Sequence, residues 1–251
     1  MRALALSAVL VAALSAAVLA ACSTQVAGRP AAASPALPIP TSVRTAHRAP
    51  LTLPLNLPTG DATQVVTVTA ASSGDTGAVL QAWQRGDSGW QKYGPATQAW
   101  LGTDGLTDAP SELTTATPAG SFTLTQAFGA APDPGSGLPY RQTTPDDWWI
   151  SQPGPLYNTM QRCASACAFE QGAPNEHLYY ELPYYEYAVV IDANTANSPT
   201  GVRQGAGSAY FLHVTVGAPT QACISIEQPA LVSLLRWLRR AAHPRILIGV
   251  G

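Results

Sequence analysis

Lysine is nearly absent from this chain, because Lys92 is the only one among 251 residues. Charged side chains of both signs are scarce, at 11% of the sequence, and 13 Lys+Arg against 15 Asp+Glu leave a formal net charge of -2. A nucleic-acid-binding protein needs a strongly basic face, so this composition excludes nucleic acid as an expected partner. Tyrosine, tryptophan, threonine and glycine are plentiful, which favours strands and turns over helices.

The first 21 residues contain one charged side chain, Arg2, followed by a run of alanine, leucine and valine. This is the pattern of an export signal. The run ends in LAAC, at Cys22, which resembles the lipobox of bacterial lipoproteins. The resemblance implies cleavage before Cys22 and lipidation of its thiol, which would anchor the protein on the outer face of the bacterial cell membrane. An ordinary cleaved signal or an uncleaved anchor are the alternatives.

Residues 22–58 are rich in Pro, Ala, Ser and Thr and have no sustained apolar period. The segment PAAASPALPIPTS is typical of this region. Such a sequence has no means of burying a core, so we expect a stiff, partly extended tether. Residues 59–251 are then expected to form one folded domain.

Short strands separated by turns dominate the pattern of this domain. QVVTVTA alternates with the period of a strand, and AVLQAWQRGDSGWQKYG predicts a hairpin that turns at residues 86–89. Further strands are expected in SFTLTQAFG, YEYAVVIDAN, SAYFLHVTVG and ILIGVG. One helix is predicted in PALVSLLRWLRR, where leucines recur at i, i+3, i+4 and i+7: Leu231, Leu234, Leu235 and Leu238. The fold class is therefore mainly β (β-rich α+β), with one C-terminal amphipathic helix.

Residues 129–181 are irregular and rich in Trp, Tyr, Pro and Asn. A segment of this length without periodicity predicts a functional loop region, or an insertion packed on one face of the fold. We expect Trp148 and Trp149 to anchor this segment rather than to contact a ligand. His177 lies in the same segment, and we expect a structural role for it, with contact to a functional site as the alternative.

Cysteine is rare, and its count is informative. If Cys22 is lipidated, three cysteines remain: Cys163, Cys167 and Cys223. Cys163 and Cys167 are four positions apart, a spacing that a tight loop can bring within disulfide range, and their pairing would leave Cys223 free. A zinc site is the alternative, but the spacing of these cysteines and His213 matches no common zinc module. We therefore expect no metal.

The segment FLHVTVGAPTQACISI places His213 ten positions before Cys223, in a run of strand formers. Alternation puts both residues on the strand faces opposite Leu212, Val214 and Ile224, so we expect both to point away from the core. The intervening GAPTQ predicts a turn that brings the imidazole beside the thiol. A neighbouring imidazole can take the thiol proton and generate a nucleophilic thiolate. The pattern therefore favours Cys223 as a nucleophile and His213 as its general base.

This segment resembles the active-site segment of bacterial L,D-transpeptidases. The family shows a histidine, a variable stretch, then Ser or Thr, a variable residue, Gly, Cys and Ile or Val. His213 matches the base, Thr220 the Ser/Thr and Cys223 the nucleophile, while Gln221 and Ala222 stand in the turn that would hold the oxyanion. TPAGSF, at residues 117–122, resembles the family's TPxGxF segment, and AWLGTDG resembles its opening strands. The family's glycine before the nucleophile is alanine here.

The resemblance implies an L,D-transpeptidase-like β-sandwich that acts on peptidoglycan stem peptides. Cys223 would attack the third residue of a tetrapeptide stem, expel D-alanine and pass the thioacyl group to an amine of a second stem, which makes a 3→3 cross-link. In this family a backbone carbonyl orients the imidazole, and no cofactor is required. The protein would be a monomeric, exported cysteine acyltransferase. The alternatives are an L,D-carboxypeptidase, with water as acceptor, and a catalytically silent wall-binding lipoprotein, which the substitutions Ala222 and Gln221 keep open.

Overall fold

Residues 51–251 are described by the structure, a computed structural model. The predicted signal peptide 1–21, the candidate lipidation residue Cys22 and the tether up to residue 50 lie outside the described residues. Within residues 51–251, no helix has the length and apolar character needed to cross a membrane.

Strands make up nearly all of the regular structure in residues 51–251. One α-helix, α1 (Gln228–Trp237), and two short 3-10 turns, Tyr184–Glu186 and Arg240–Ala242, accompany them. The strands are β1 (Gln64–Ala70), β2 (Gly77–Gly86), β3 (Gly89–Trp100), β4 (Leu106–Thr107), β5 (Thr117–Pro118), β6 (Gly120–Thr123), β7 (Ala127–Gly129), β8 (Tyr140–Gln142), β9 (Asp147–Ile150), β10 (Thr159–Arg162), β11 (Glu176–His177), β12 (Ala188–Val190), β13 (Phe211–Val214), β14 (Ile224–Ile226) and β15 (Arg245–Val250).

Ten of these strands form one curled, mixed sheet shaped as a half-barrel, in the order β6-β15-β1-β2-β3-β14-β13-β12-β7-β8. The mainly β class and the single C-terminal helix are thereby confirmed. The hairpin of β2 and β3 turns where the sequence predicts, because Gly86 pairs with Gly89 across the two-residue turn. The predicted strand SFTLTQAFG is two strands, β6 and β7, interrupted by residues 124–126.

The larger hydrophobic core lies on one face of this sheet and includes α1. The helix residues Leu231, Leu234 and Leu235 are buried there, together with Leu238 just beyond its end, so the predicted amphipathic face is confirmed. The apolar faces of β13 and β14 point into the same core through Leu212, Val214, Ile224 and Ile226. This packing fixes the register of the two strands, since a slip by one residue would turn those side chains to the other face.

The opposite face of β13 and β14 is also buried, because the chain between β8 and β12 covers it. A three-stranded sheet, β10-β9-β11, lies in this region, and Trp149 of β9 packs with Phe211 in a second hydrophobic cluster. Trp148 packs in a third cluster, beside the Cys163–Cys167 disulfide that the cysteine count favours. Both tryptophans are buried, as expected of residues that anchor this segment.

Residues 51–58 pack on the sheet, although they fall within the predicted tether. Leu55 is buried in a cluster with Val65, Trp83 and Leu247, and Leu51, Leu53 and Leu57 pack against this cluster. The folded region therefore begins before residue 59. Alternating leucines between prolines bury apolar side chains without the regular period by which a strand or helix is recognised in sequence.

Candidate functional site

Cys223 and His213 line one cavity, of about 520 Å³. Its walls come from four separate parts of the chain: the loop after β3, the segment from β11 to the 3-10 turn at Tyr184–Glu186, strand β13 with the loop after it, and β14. The lining residues are Thr103, Glu176, Glu181, Tyr184, Tyr185, His213, Val216, Ala218, Pro219, Thr220, Gln221, Cys223 and Ser225. Tertiary structure therefore brings together the two residues that the sequence singles out.

The strand pairing explains why these side chains share the cavity. Strands β13 and β14 are parallel neighbours, and His213 is paired with Ser225. Cys223 immediately precedes β14, two residues before Ser225, so both side chains leave the same face of the sheet as His213. The predicted separation of the two faces holds, since Leu212, Val214 and Ile224 lie in the larger core on the other side. The expectation that Cys223 points away from any core is wrong, because Cys223 packs in the second hydrophobic cluster.

Two threonine hydroxyls hold the backbone at Cys223. Thr117 and Thr220 donate hydrogen bonds to the carbonyl oxygen of Cys223, at 3.1 Å and 2.6 Å. The hydroxyl of Thr117 also accepts a hydrogen bond of 2.8 Å from the backbone N–H of Gly102, and Thr103 N–H donates to the Thr220 carbonyl at 2.9 Å. Each of the three segments that carry the family resemblance, AWLGTDG, TPAGSF and TQACIS, thus contributes to this one turn.

The backbone at Ala222 adopts a conformation that favours glycine, with φ at +78°. This is the position at which the transpeptidase pattern has glycine. The Ala222 side chain packs in the larger core and does not line the cavity. Gly102 approaches this turn closely, because a Cβ at Gly102 would clash with the Thr115 carbonyl and lie 3.0 Å from the Ala222 Cα.

The same turn leaves backbone donors available. The N–H groups of Gln221, Ala222 and Cys223 make no hydrogen bond to any backbone or side-chain acceptor in the part of the chain that the structure describes. N–H groups next to a nucleophile are the usual components of an oxyanion hole. The turn can therefore supply donors to a developing oxyanion at Cys223.

The Cys223 thiol is buried and hydrogen-bonds to backbone groups, whereas the sequence predicts a thiol that points away from the core. The residue is 6% exposed, and its S–H donates to the Ala209 carbonyl at 3.3 Å while the Phe211 N–H donates to the sulfur at 3.4 Å. No hydrogen bond joins the sulfur to His213. Burial, together with the negative charge of Glu176, raises the pKa of the thiol, against a smaller lowering by the Phe211 N–H. The thiol at rest is protonated and turned toward Ala209.

His213 is a neutral imidazole with one nitrogen available. Its Nδ1 is 2.8 Å from the Val214 carbonyl, which requires the proton on Nδ1 and leaves Nε2 as an acceptor. Burial lowers the pKa of His213 to about 4, although the bond to Val214 acts in the opposite direction. The rings of Tyr184 and Tyr185 meet the imidazole edge-on, with centroids 5.8 Å and 5.5 Å away. A backbone carbonyl orients the ring, as the family resemblance implies.

Glu176 and Tyr185 belong to the site although no sequence pattern singles them out. Glu176 lies in β11, lines the cavity and accepts a hydrogen bond from the Tyr185 hydroxyl. Burial raises the pKa of Glu176 to about 7; the Tyr185 hydrogen bond lowers it, and the carboxylates of Glu181 and Glu112 raise it further. Two-residue strands carry no periodic signal, so only the packing of β11 against β9 places this carboxyl near Cys223.

His177, the neighbour of Glu176, lies outside this cavity. Its ring stacks on Trp148 with centroids 3.9 Å apart, and its Nε2 is 2.5 Å from the Pro145 carbonyl. Cys163 and Cys167 are engaged in their disulfide, and residues 51–251 contain no cluster of three or more His, Cys, Asp or Glu side chains suited to a metal ion.

Comparison of the chain with protein-family models, with curated proteins and with solved structures finds no match.

Proposed function

We propose that this chain is an exported cysteine acyltransferase, a peptidoglycan L,D-transpeptidase that forms 3→3 cross-links. The observation that carries the proposal is the hydrogen bonding of the Cys223 carbonyl to both Thr117 and Thr220. These hydroxyls come from the two segments that resemble the transpeptidase family, TPAGSF and TQACIS, which are far apart in sequence. The two segments resemble the family independently of each other, and both donate a hydrogen bond to the same backbone carbonyl. This agreement supports the proposal of a transpeptidase site.

The proposed first half-reaction transfers an acyl group to Cys223. The S–H turns from Ala209 toward the cavity, where Nε2 of His213 accepts its proton, and the thiolate attacks the carbonyl carbon of the third stem residue. The free N–H groups of the turn at Gln221 and Ala222 stabilise the oxyanion. Collapse of the tetrahedral intermediate breaks the bond to D-alanine, whose amine takes the proton from the imidazolium. A thioester at Cys223 remains.

The second half-reaction restores the enzyme. An amine of a second stem attacks the thioester carbonyl and gives one proton to Nε2 of His213. The C–S bond breaks, the thiolate recovers that proton, and an amide joins the two stems. His213 thus acts as base and acid in both halves, and its low pKa keeps Nε2 free at neutral pH.

The proposal also includes the domain type, the cofactor requirement, the location and the partners of the protein. The curled sheet with its C-terminal helix would be an L,D-transpeptidase-like β-sandwich domain, and no cofactor or metal takes part. The domain would act as a monomer held at the outer face of the bacterial membrane by lipid on Cys22. Its partners would be peptidoglycan stem peptides.

A second candidate, a catalytically silent wall-binding protein, is favoured by one observation. The Cys223 thiol is buried, has a raised pKa and is bonded to Ala209 rather than to His213. A cavity that has kept its shape while the thiol lost its activation would still bind stem peptides. The two candidates differ in whether Cys223 forms a covalent bond.

Acylation by a carbapenem separates them. Carbapenems acylate the cysteine of the family that the sequence resembles, and the adduct adds the mass of one inhibitor molecule to the intact protein. We expect a single adduct on the wild-type chain, located on the Cys223 peptide, and none on Cys223→Ser. If neither a carbapenem nor a tetrapeptide stem gives an adduct, the transpeptidase proposal fails and wall binding becomes the leading function.

A further inference from the structure

The Cys223 cavity contains two carboxylates and no cationic side chain. Glu176 and Glu181 both line it, while Arg and Lys are absent from its walls. None of the ion pairs within residues 51–251 includes Glu176, and the charged groups that raise its pKa are carboxylates as well, Glu181 and Glu112. A carboxylate in a protein cavity without a cation is costly to keep charged, unless a ligand supplies the opposite charge.

A second observation points to a ligand independently. Ser225 is 1% exposed, lines the same cavity, and its hydroxyl has no hydrogen-bond partner in the described part of the chain. Buried hydroxyls in native proteins are nearly always paired, so a hydroxyl at a cavity wall without a partner indicates a position where a ligand group is bound. Ser225 is paired with His213 across β13 and β14, so its hydroxyl lies on the face that carries the proposed base.

We propose that Glu176 and Ser225 form a subsite for a primary ammonium group carried at the end of an aliphatic chain. The carboxylate is the counter-ion and the hydroxyl is a second acceptor, which satisfies two of the three donors of an ammonium group. The rings of Tyr184 and Tyr185 form an aromatic wall of the kind that accommodates an alkyl chain and its cation. The Tyr185 hydroxyl donates to Glu176, so it fixes the carboxylate in place.

This subsite deepens the proposed function and rests on it in one respect: the ammonium group would belong to the amine that accepts the acyl group from Cys223. Acyl transfer to an amine rather than to water requires that the amine be held close to the thioester. A carboxylate in the nucleophile's cavity provides that binding. It also accepts one proton from the bound ammonium and later releases it to solvent, so that the neutral amine attacks the thioester and gives its second proton to Nε2 of His213. Amine binding and acylation are separate measurements, so each proposal can fail alone.

The test uses matched probes that differ in one charge. Nα-acetyl-L-lysine amide and Nα-acetyl-L-norleucine amide have side chains of similar length, and only the first ends in an ammonium group. Binding to the full-length chain at pH 8 is followed by NMR. We expect the lysine probe to bind at least about tenfold more tightly, the usual scale for a charge-assisted hydrogen bond. Equal binding of the two probes overturns the subsite.

Substitutions test which side chains of the cavity bind the lysine probe. Glu176→Gln keeps an acceptor for Tyr185 but removes the charge, and we expect about tenfold weaker binding of the lysine probe. Ser225→Ala should weaken it about threefold without loss of stability, because the hydroxyl has no partner to lose. Glu170→Gln is the matched control: this carboxylate is exposed and lies outside the cavity, so less than a twofold change is expected. Unchanged binding in Glu176→Gln contradicts the proposal.

A second measurement distinguishes a binding role from a merely structural one. The charge of Glu176 raises the pKa of the Cys223 thiol, so Glu176→Gln should speed alkylation of Cys223 by iodoacetamide at pH 8, by about two- to tenfold. If the substitution instead loosened the cavity, it would speed alkylation at pH 5 as well. Glu176 is protonated in the wild type at pH 5, so we expect wild type and Glu176→Gln to be alkylated at the same rate there. A butylamine arm tests whether the ammonium alone suffices or the peptide part of the lysine probe adds affinity.

The outcomes of the two proposals are independent. A carbapenem adduct together with equal binding of lysine and norleucine probes removes the subsite and leaves the acyltransferase. Selective lysine binding without any adduct leaves an amine-binding cavity and removes the acyl transfer.

Discussion

The hydroxyl of Thr117 donates a hydrogen bond to the carbonyl oxygen of Cys223, across a sequence separation of 106 residues. The same hydroxyl accepts from the N–H of Gly102, so one side chain connects three segments of the chain. The turn that presents Cys223 is therefore held from behind by β5 and by the loop after β3. Its geometry does not depend on residues 217–222 alone.

Replacement of Thr117 by valine should therefore damage both stability and the proposed chemistry. The change keeps the shape of the side chain but leaves the buried N–H of Gly102 without a partner, at a cost of about 1–3 kcal/mol. We also expect acylation of Cys223 to slow by about tenfold as the turn loosens. Thermal unfolding and the rate of carbapenem adduct formation measure the two effects. Thr97→Val, in β3, is the control, since the Thr97 hydroxyl has no partner within residues 51–251 and both quantities should stay unchanged.

His213→Ala should slow acylation of Cys223 by about 10²–10⁴-fold, the usual contribution of a positioned base. The fold should persist, because the only hydrogen bond lost joins the imidazole to the carbonyl of the adjacent residue, Val214. The rate of adduct formation, read from intact-protein mass over time, measures the effect. His243→Ala, which removes an exposed imidazole that contacts Asp61 outside the cavity, should change nothing. A His213→Ala rate within threefold of wild type would remove His213 from the mechanism.

Ala222→Gly should leave the acylation rate within about threefold of wild type. The alanine already has the positive φ of the turn, and its methyl group packs into the core rather than the cavity. For stability, relief of about 1–2 kcal/mol of strain opposes the loss of a buried methyl and the extra freedom of the unfolded glycine. We expect a net change of under about 1 kcal/mol in chemical denaturation. Ala166→Gly, with φ at +54° in the disulfide loop, is the matched control. A large gain in rate would show that the methyl obstructs the oxyanion site.

The stability difference between Glu176→Gln and wild type should depend on pH, with a definite sign. The carboxyl has a pKa near 4.5 when unfolded and about 7 when folded, so the folded state holds the proton more tightly. Wild-type stability from this group is full below pH 4.5 and falls as pH rises toward 7. The glutamine variant has no such loss. We expect it to match wild type near pH 4 and to exceed it by roughly 1–3 kcal/mol at pH 8, after allowance for solvent screening. Urea denaturation at the two pH values measures this, and a parallel shift at both would contradict the assignment.

Thiol titration tests the state of the cysteines. With Cys163 and Cys167 joined and Cys22 lipidated, the denatured but unreduced mature protein should give one reactive thiol, from Cys223. Reduction before denaturation should raise the count to three. Three thiols without reduction would show that the disulfide is absent in the isolated protein.

The sequence by itself determined the class of the fold and the faces of the strands that matter. Periods of two and of 3.6 residues predicted β1, the hairpin of β2 and β3, α1 and β15. In each of these elements the apolar side chains recur at regular intervals on the face that packs into a core. The same alternation put Leu212 and Ile224 in the core and left His213 and Cys223 on the other face. These are local properties, which a single stretch of chain carries within itself.

Only the tertiary structure decided that this other face is buried as well, and by what. Strands of two to four residues, such as β9 and β11, are too short to show a period, and they exist because long-range pairing holds them. That pairing brings Glu176 and Tyr185 to Cys223, turns the thiol toward Ala209 and leaves Ser225 without a partner. The charge and accessibility of the site depend on contacts between segments distant in the chain, and no local pattern encodes such contacts.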